Sequence, residues 1–338
     1  MKIISLRAYV IFGGAVWRVF LRKGNGGEFW EGKGFKGWVG IWGSENCFYF
    51  RDSNSGTFVD KKLRAEGKIA IVTGSNTGIG RETVRDLASR GAKVYMACRD
   101  MKKCDETRKE IVMATQNRYV YCRPCDLSSQ QSIRDFVKTF KEEQPALHIL
   151  INNAGVMRCP KQVTKEGIEM QLGVNYMGHF LLTNLLLDYL EKSAPSRIIN
   201  LTSSTHSLGK INQEDFNLTQ NYDPTTAYNQ SQLARMLFTV DLSIRLLETK
   251  VTVNAVDPGL TDTEITRHLP SFKSFSSPIT YMLTWPFIKK PTMGAQPVIY
   301  AALSPDLEKI TGQFLSENRG SKKILNLQKL LQFITNFK

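Results

Sequence analysis

Lys68-Ile69-Ala70-Ile71-Val72-Thr73-Gly74-Ser75-Asn76-Thr77-Gly78-Ile79-Gly80 decides the fold. A short apolar run rich in β-branched residues ends on a threonine, and three glycines follow at the spacing of a tight strand-to-helix turn. Such a turn lets backbone amides approach a pyrophosphate, with the positive end of the next helix aimed at it. Outward from this stretch, short apolar strands alternate with amphipathic helical segments, the pattern of βαβ units and a parallel sheet. Strands are expected at Ile69–Val72, Lys93–Ala97, Tyr119–Cys122, Ile149–Ile151, Arg197–Leu201 and Thr252–Val256, with a last one near Gln313. Helices are expected to start near Gly78, Met101, Ser129, Ile168, Ala227 and Gly294. This alternation predicts one Rossmann-type doubly wound α/β domain over residues 67–317, a parallel sheet with helices on both faces.

The 338 residues, 42% of them hydrophobic, are enough to bury a core. A net charge of +14 suits nucleic acid, an anionic membrane surface or a phosphate-rich ligand. Neither the aromatic pattern of an RNA-binding sheet nor zinc-finger spacing accompanies it, so nucleic acid is set aside as a partner. The charge gathers at the ends: Lys2, Arg7, Arg18, Arg22 and Lys23 precede any acid, and after Glu317 only basic side chains remain.

Residues 1–23 flank the apolar stretch Ala8 to Trp17, too short to span a membrane as a helix. They are read as a targeting or anchor segment: a short anchor, a mitochondrial presequence or a signal region. Residues 24–66 are an irregular Gly-rich extension. Residues 318–338 set Ile324, Leu327, Leu330, Leu331 and Ile334 near helical spacing among lysines, a basic amphipathic tail. Such a tail fits peripheral membrane contact and equally a docking or homodimer helix.

The six cysteines lack the dense spacing of a disulfide-stapled secreted domain, which points to a reducing compartment. Cys122 and Cys125 form a CxxC inside a strand-like run and are read as neither a redox pair nor a metal site. No metal and no glycan is expected.

The ends of the strands carry the chemistry. After the second strand, where NAD-binding domains place an acid for the ribose, stands Cys98 followed by Arg99. A guanidinium there welcomes a 2′-phosphate, so NADP(H) is favoured over NAD. Asp126, with Leu127, closes the third strand where an adenine amino group needs an acceptor. Asn152-Asn153-Ala154-Gly155 closes the fourth.

Taken in order, TGSNTGIG at 73–80, CDL at 125–127, NNAG at 152–155, VNYMGH at 174–179, Tyr228 and Pro258-Gly259 resemble the short-chain dehydrogenases/reductases. ACRD at 97–100, INNAGVMRCP at 151–160, SAPSRIIN at 193–200 and VTVNAVDPG at 251–259 resemble its retinol dehydrogenase branch, and the likeness covers roughly residues 57–317. The resemblance implies cofactor contacts from Gly74, Ser75, Asn76, Thr77, Gly78, Ile79, Gly80, Arg99, Asp126, Leu127, Asn153, Ala154, Gly155, Tyr228, Gln232, Pro258, Gly259 and Thr263. It also implies a catalytic set of Asn175, Ser203, Tyr228 and the residue four places after the tyrosine. In that scheme tyrosine exchanges the proton, serine holds the carbonyl or hydroxyl, and a lysine binds ribose and makes the tyrosine more acidic. Ser203 rather than Ser204 matches the serine.

The lysine is absent: position 232 is Gln232. Residues i and i+4 share a helix face, so its amide occupies the ammonium's place and is able to donate to a ribose hydroxyl. The missing charge, about 5 Å from the phenol at an effective dielectric of about 20, is worth roughly 3 kcal/mol, or about two pH units in where Tyr228 ionises. Alcohol oxidation, which needs a basic tyrosine, should suffer more than carbonyl reduction, which starts from the neutral phenol. Arg235 lies one turn beyond Gln232 on the same face, near the limit of reach.

An aromatic stretch follows Thr263, with Phe272, Phe275, Tyr281, Met282, Leu283, Trp285 and Phe287. The resemblance makes it a greasy substrate cover, and the substrate a lipophilic aldehyde, ketone or alcohol such as retinal and retinol. Two readings stay open: an NADP-dependent oxidoreductase favouring reduction, or an impaired NADP-binding relative acting as a sensor or scaffold. Membrane association is expected, with the mitochondrion favoured over the endoplasmic reticulum.

Overall fold

The computed structural model describes residues 58–268 and 288–316, together with the backbone of residues 6–12 and 15–21. The strands of the main unit are β1 Ile69–Thr73, β2 Lys93–Cys98, β3 Val120–Pro124, β4 Ile149–Asn152, β5 Ser196–Leu201, β6 Val251–Asp257 and β7 Phe314–Ser316. They form one seven-stranded sheet in the order β3-β2-β1-β4-β5-β6-β7, every neighbouring pair parallel. The chain winds outward from β1 in one direction and then from β4 in the other. The crevice where the winding reverses therefore opens between the carboxyl ends of β1 and β4.

β1 is apolar throughout because both of its faces are covered: all five residues are buried. Ala70 and Val72 face α1 Gly78–Ser89, α2 Met101–Thr115 and α6 Gln296–Leu303, packing with Val84, Leu87, Ile111 and Val298. Ile69 and Ile71 face α3 Gln130–Glu143, α4 Gly178–Lys192 and α5 Pro224–Arg245, packing with Phe136, Phe140, Leu182 and Leu242. The alternation of side chains along a strand produces the two layers.

Two helix starts differ from expectation. The helix expected near Ala227 begins at Pro224, because the Asp223 carboxylate accepts the Thr226 amide at 2.6 Å and proline suits a first turn. Near Ile168 there is first a bridge of Val163 to Glu169. Glu169 then accepts the Gln171 and Leu172 amides, and a short turn Met170–Leu172 runs through a π turn, Gly173–Met177, into α4.

Cysteine spacing reads as lacking a disulfide framework and as pointing to a reducing compartment, but the structure holds one bridge among the described residues. Cys104 of α2 and Cys122 of β3 form a disulfide, with Cα atoms 6.0 Å apart. The packing of α2 against β3 brings them together, which spacing along the chain does not reveal. Cys98, Cys125 and Cys159 are buried free thiols, so the CxxC is not itself a bonded pair.

In the N-terminal unit, Leu6–Phe12 and Ala15–Leu21 form an antiparallel hairpin, paired from Leu6 with Leu21 to Phe12 with Ala15. The aromatic stretch at 272–287, the basic tail at 318–338 and most of the Gly-rich extension lie outside the described residues. No helix among the described residues is long and apolar enough to cross a membrane.

Phe140 is wholly buried, with its ring edge-on to Tyr95 at 5.0 Å between centroids. Phe140→Ala is expected to cost about 3–5 kcal/mol, read as a lower urea midpoint at unchanged slope.

Candidate active site

A single hydroxyl joins the two sides of the crevice. Thr73 Oγ1, at the end of β1, accepts the backbone amides of Asn153 at 2.9 Å and Ala154 at 3.0 Å from the segment that leaves β4. The same oxygen lies 2.9 Å from His179 Nε2, while His179 Nδ1 lies 2.9 Å from the Asn175 carbonyl. A carbonyl only accepts, so Nδ1 carries the proton and Thr73 donates to Nε2. Burial, with Arg235 nearby, pushes His179 down to about 3, so the ring stays neutral and this pattern persists across physiological pH.

Asn153 completes the connection, its Nδ2 donating to the carbonyls of Thr73 at 2.8 Å and Gly74 at 3.1 Å. The glycines are needed for this closeness. A Cβ on Gly74, whose φ is +59°, would sit 2.9 Å from the Ala154 Cα, and one on Gly80 would meet Asn153 Nδ2 and the Gly74 carbonyl at 2.5 Å. Position 78 lies against Thr263, so the Thr263 turn does reach the glycine-rich loop.

The loop fits a nucleotide pyrophosphate. Asp100, Ser129 and Asp223 cap α2, α3 and α5 through their side chains, yet α1 has no side-chain cap from Thr77. Its first amides stay available for an anion at the positive end of the helix. Arg99 is exposed just past β2, and Cys98 beneath it lies 3.4 Å from Ser75 Oγ. Thr107 Oγ1 donates to the Asn76 carbonyl at 2.9 Å, tying α2 to the loop.

Asp126 uses Oδ1 to hold the Ser128 amide and hydroxyl at 2.9 and 2.7 Å, while Leu127 is buried against α4. Gly259, after Pro258, donates its amide to Asp257 at 2.9 Å, and the other oxygen of Asp257 accepts the Ser204 amide at 2.8 Å. The segments after β5 and β6 are thereby joined. Among the described residues no cluster of His, Cys, Asp and Glu is arranged to hold a metal ion.

The catalytic candidates converge on α5. Asn175 sits in the π turn, wholly buried, and its amide is spent on structure. Oδ1 accepts the Val156 amide, and Nδ2 donates to the Val156 carbonyl and to Ser231 Oγ, each at 2.8–2.9 Å. Ser203 caps a 3-10 turn, its hydroxyl accepting the Thr205 amide at 3.4 Å, and it acts on the Tyr228 phenol to make it more acidic. Burial pushes Tyr228 up to about 12. Asp257 adds to this, while Arg235, Ser203 and Arg158 oppose it.

Gln232 is buried and contributes no charge; its Nε2 donates to Ser231 Oγ at 3.4 Å. Sequence reasoning gave Thr73, His179 and Ser231 no role. For His179 the signal was present, since it follows Asn175 by one helical turn within VNYMGH.

A family model for short chain dehydrogenases matches residues 68–274. The chain belongs to the short-chain dehydrogenase family, an oxidoreductase family that uses nicotinamide cofactors, and within it to the retinol dehydrogenase branch. It is 48% identical to human retinol dehydrogenase 13 over 266 residues, 78% of this chain and 80% of that protein. It is 47% identical to mouse retinol dehydrogenase 11 over 255 residues, 75% and 79% of the two chains. Among solved structures, the fold matches a short-chain type dehydrogenase/reductase from Mycobacterium marinum at a TM-score of 0.61, with 21% identity over 77% of this chain and 98% of that one. It also matches an actinorhodin polyketide ketoreductase solved with NADPH, at a TM-score of 0.61 and 25% identity over 74% and 95%.

Thr73→Val leaves two backbone amides without their acceptor, at about 1–3 kcal/mol each. The variant should melt lower and bind a nicotinamide nucleotide more weakly, as followed by nucleotide fluorescence, whereas Thr73→Ser keeps the hydroxyl and should restore both.

Proposed function

We propose that this protein is an NADP(H)-dependent reductase of lipophilic aldehydes and ketones, retinal foremost. The observation that carries the reading is the buried Tyr228 phenol, which burial makes hold its proton to about 12. A phenol so reluctant to ionise is poorly suited to act as a base towards an alcohol. It arrives at a carbonyl with its proton already in place.

The glycine-rich loop and the first turn of α1 hold the pyrophosphate, and Arg99 receives the 2′-phosphate. Asp126, Leu127, Asn153, Ala154, Gly155, Pro258, Gly259 and Thr263 line the rest of the nucleotide's path. The bound nicotinamide supplies the hydride in reduction and takes it in oxidation. Ser203 holds the substrate oxygen, Tyr228 donates the proton, and Asn175 keeps the 154–156 segment against α5.

The names of the relatives support a retinoid substrate. The apolar stretch at 272–287 supports a lipophilic one. The basic ends support attachment to a membrane surface, with the mitochondrion preferred, and residues 318–338 are also suited to a homodimer contact.

Gln232 favours a second reading, a relative that binds NADP and a lipid but has lost turnover. NADPH oxidation with all-trans-retinal separates the two across slightly acid to alkaline pH. On the first reading the wild type turns over, Tyr228→Phe does not, and Gln232→Lys raises the alcohol-oxidation rate more than the reduction rate. Binding without turnover, restored by Gln232→Lys, establishes the second. Arg99→Asp should raise the KM for NADPH about tenfold or more and that for NADH far less. An unchanged ratio would remove Arg99 from the 2′-phosphate site.

A further inference from the structure

Helix α5 lacks a cation at Gln232 and carries one three residues further on. Arg235 is only 4% exposed. Its guanidinium reaches across to the end of β4, where Nη2 donates to the Asn152 carbonyl and Nη1 to the Ala154 carbonyl at 3.5 Å. Nε is buried with no hydrogen-bond partner, and no carboxylate pairs with Arg235 among the described residues. Burying a charge without a counter-ion is costly, so packing alone does not account for an arginine here.

Its neighbours indicate what the charge does. Residues 228, 232 and 235 fall on one face of the helix, at i, i+4 and i+7. Burial brings the guanidinium down to about 10, so it remains charged under physiological conditions, with Tyr228 working to keep the proton on it. Conversely, Arg235 is the strongest influence opposing the effect of burial on Tyr228. The other groups facing the phenol are Ser203 after β5, Asp257 at the end of β6 and Arg158 beyond β4. His179 of α4 also feels Arg235 and is neutral. The carbonyls of Asn152 and Ala154 hold the guanidinium at the end of β4, on the helix face that Arg235 shares with Tyr228.

We propose that Arg235 stands in for the ammonium absent at Gln232, its guanidinium, anchored on the Asn152 and Ala154 carbonyls, stabilising negative charge on the Tyr228 oxygen through space. It is a positioning residue, acting on the proton of Tyr228 without touching substrate. This inference deepens the reductase reading and rests on it for its purpose, but the electrostatic effect is measurable without turnover.

The test places 2,3-difluorotyrosine at position 228 of the full chain, so that the phenol titrates within the range the fold survives, and follows its fluorine resonance against pH. Arg235→Gln should raise the midpoint by about one pH unit or more, Arg235→Lys should keep it within a few tenths, and Gln232→Lys should lower it. A folded Arg235→Gln protein with an unmoved midpoint would overturn the proposal and leave Arg235 as packing. If Arg235→Gln does not fold, Arg235→Met decides: a midpoint raised by about one unit or more supports the proposal, and one near that of the parent overturns it. Shifted midpoints in a protein that never turns over retinal would uphold the charge assignment while removing the reductase reading.

Discussion

The hydroxyl of Thr73 is the constraint on which the site depends. It accepts two amides from the 153–154 segment and donates a hydrogen bond to His179, whose other nitrogen grips the π turn at Asn175. Three pieces of chain far apart in sequence thus meet at one oxygen, at the point where the winding of the sheet reverses. Asn175 in turn fastens Val156 and Ser231, and Ser231 donates to the Tyr228 carbonyl. The relay thus ties the segment after β4 to the helix that carries the phenol.

The fold was legible because its signals are local. A strand buried on both faces reads as an unbroken apolar run, and β1, β4 and β6 were found within a residue or two. The caps that move helix starts were harder: Asp223 and Glu169 act through hydrogen bonds that spacing does not predict. Long-range pairing was invisible, as with Cys104 and Cys122, or Thr73 and His179. The candidate site was legible as a set of positions but not as a set of roles. Asn175 was expected in the catalytic set, and its side chain is engaged with Val156 and with Ser231 of α5.

At position 232 the chain departs from its family's pattern in charge. Gln232 removes a cation from the middle of α5, and Arg235 buries one a turn beyond, held by backbone carbonyls rather than a carboxylate. The two positions read differently alone than together. Alone, Gln232 looks like damage; with Arg235 beside it, the same helix face still presents positive charge to the same phenol, from further away and through a bulkier group.

Helix α1 has a consequence of another kind. It begins without a side-chain cap, while the three other helices that open beside the sheet with a polar residue are capped by their own chain. A helix left in this state is completed only from outside. An anion settling there stabilises the native state by mass action, by RT ln(1 + [L]/Kd), with nothing comparable available to the unfolded chain. On the proposed reading that anion is the nucleotide, so the margin of stability of the folded chain grows with nucleotide concentration and goes on growing after the site is saturated.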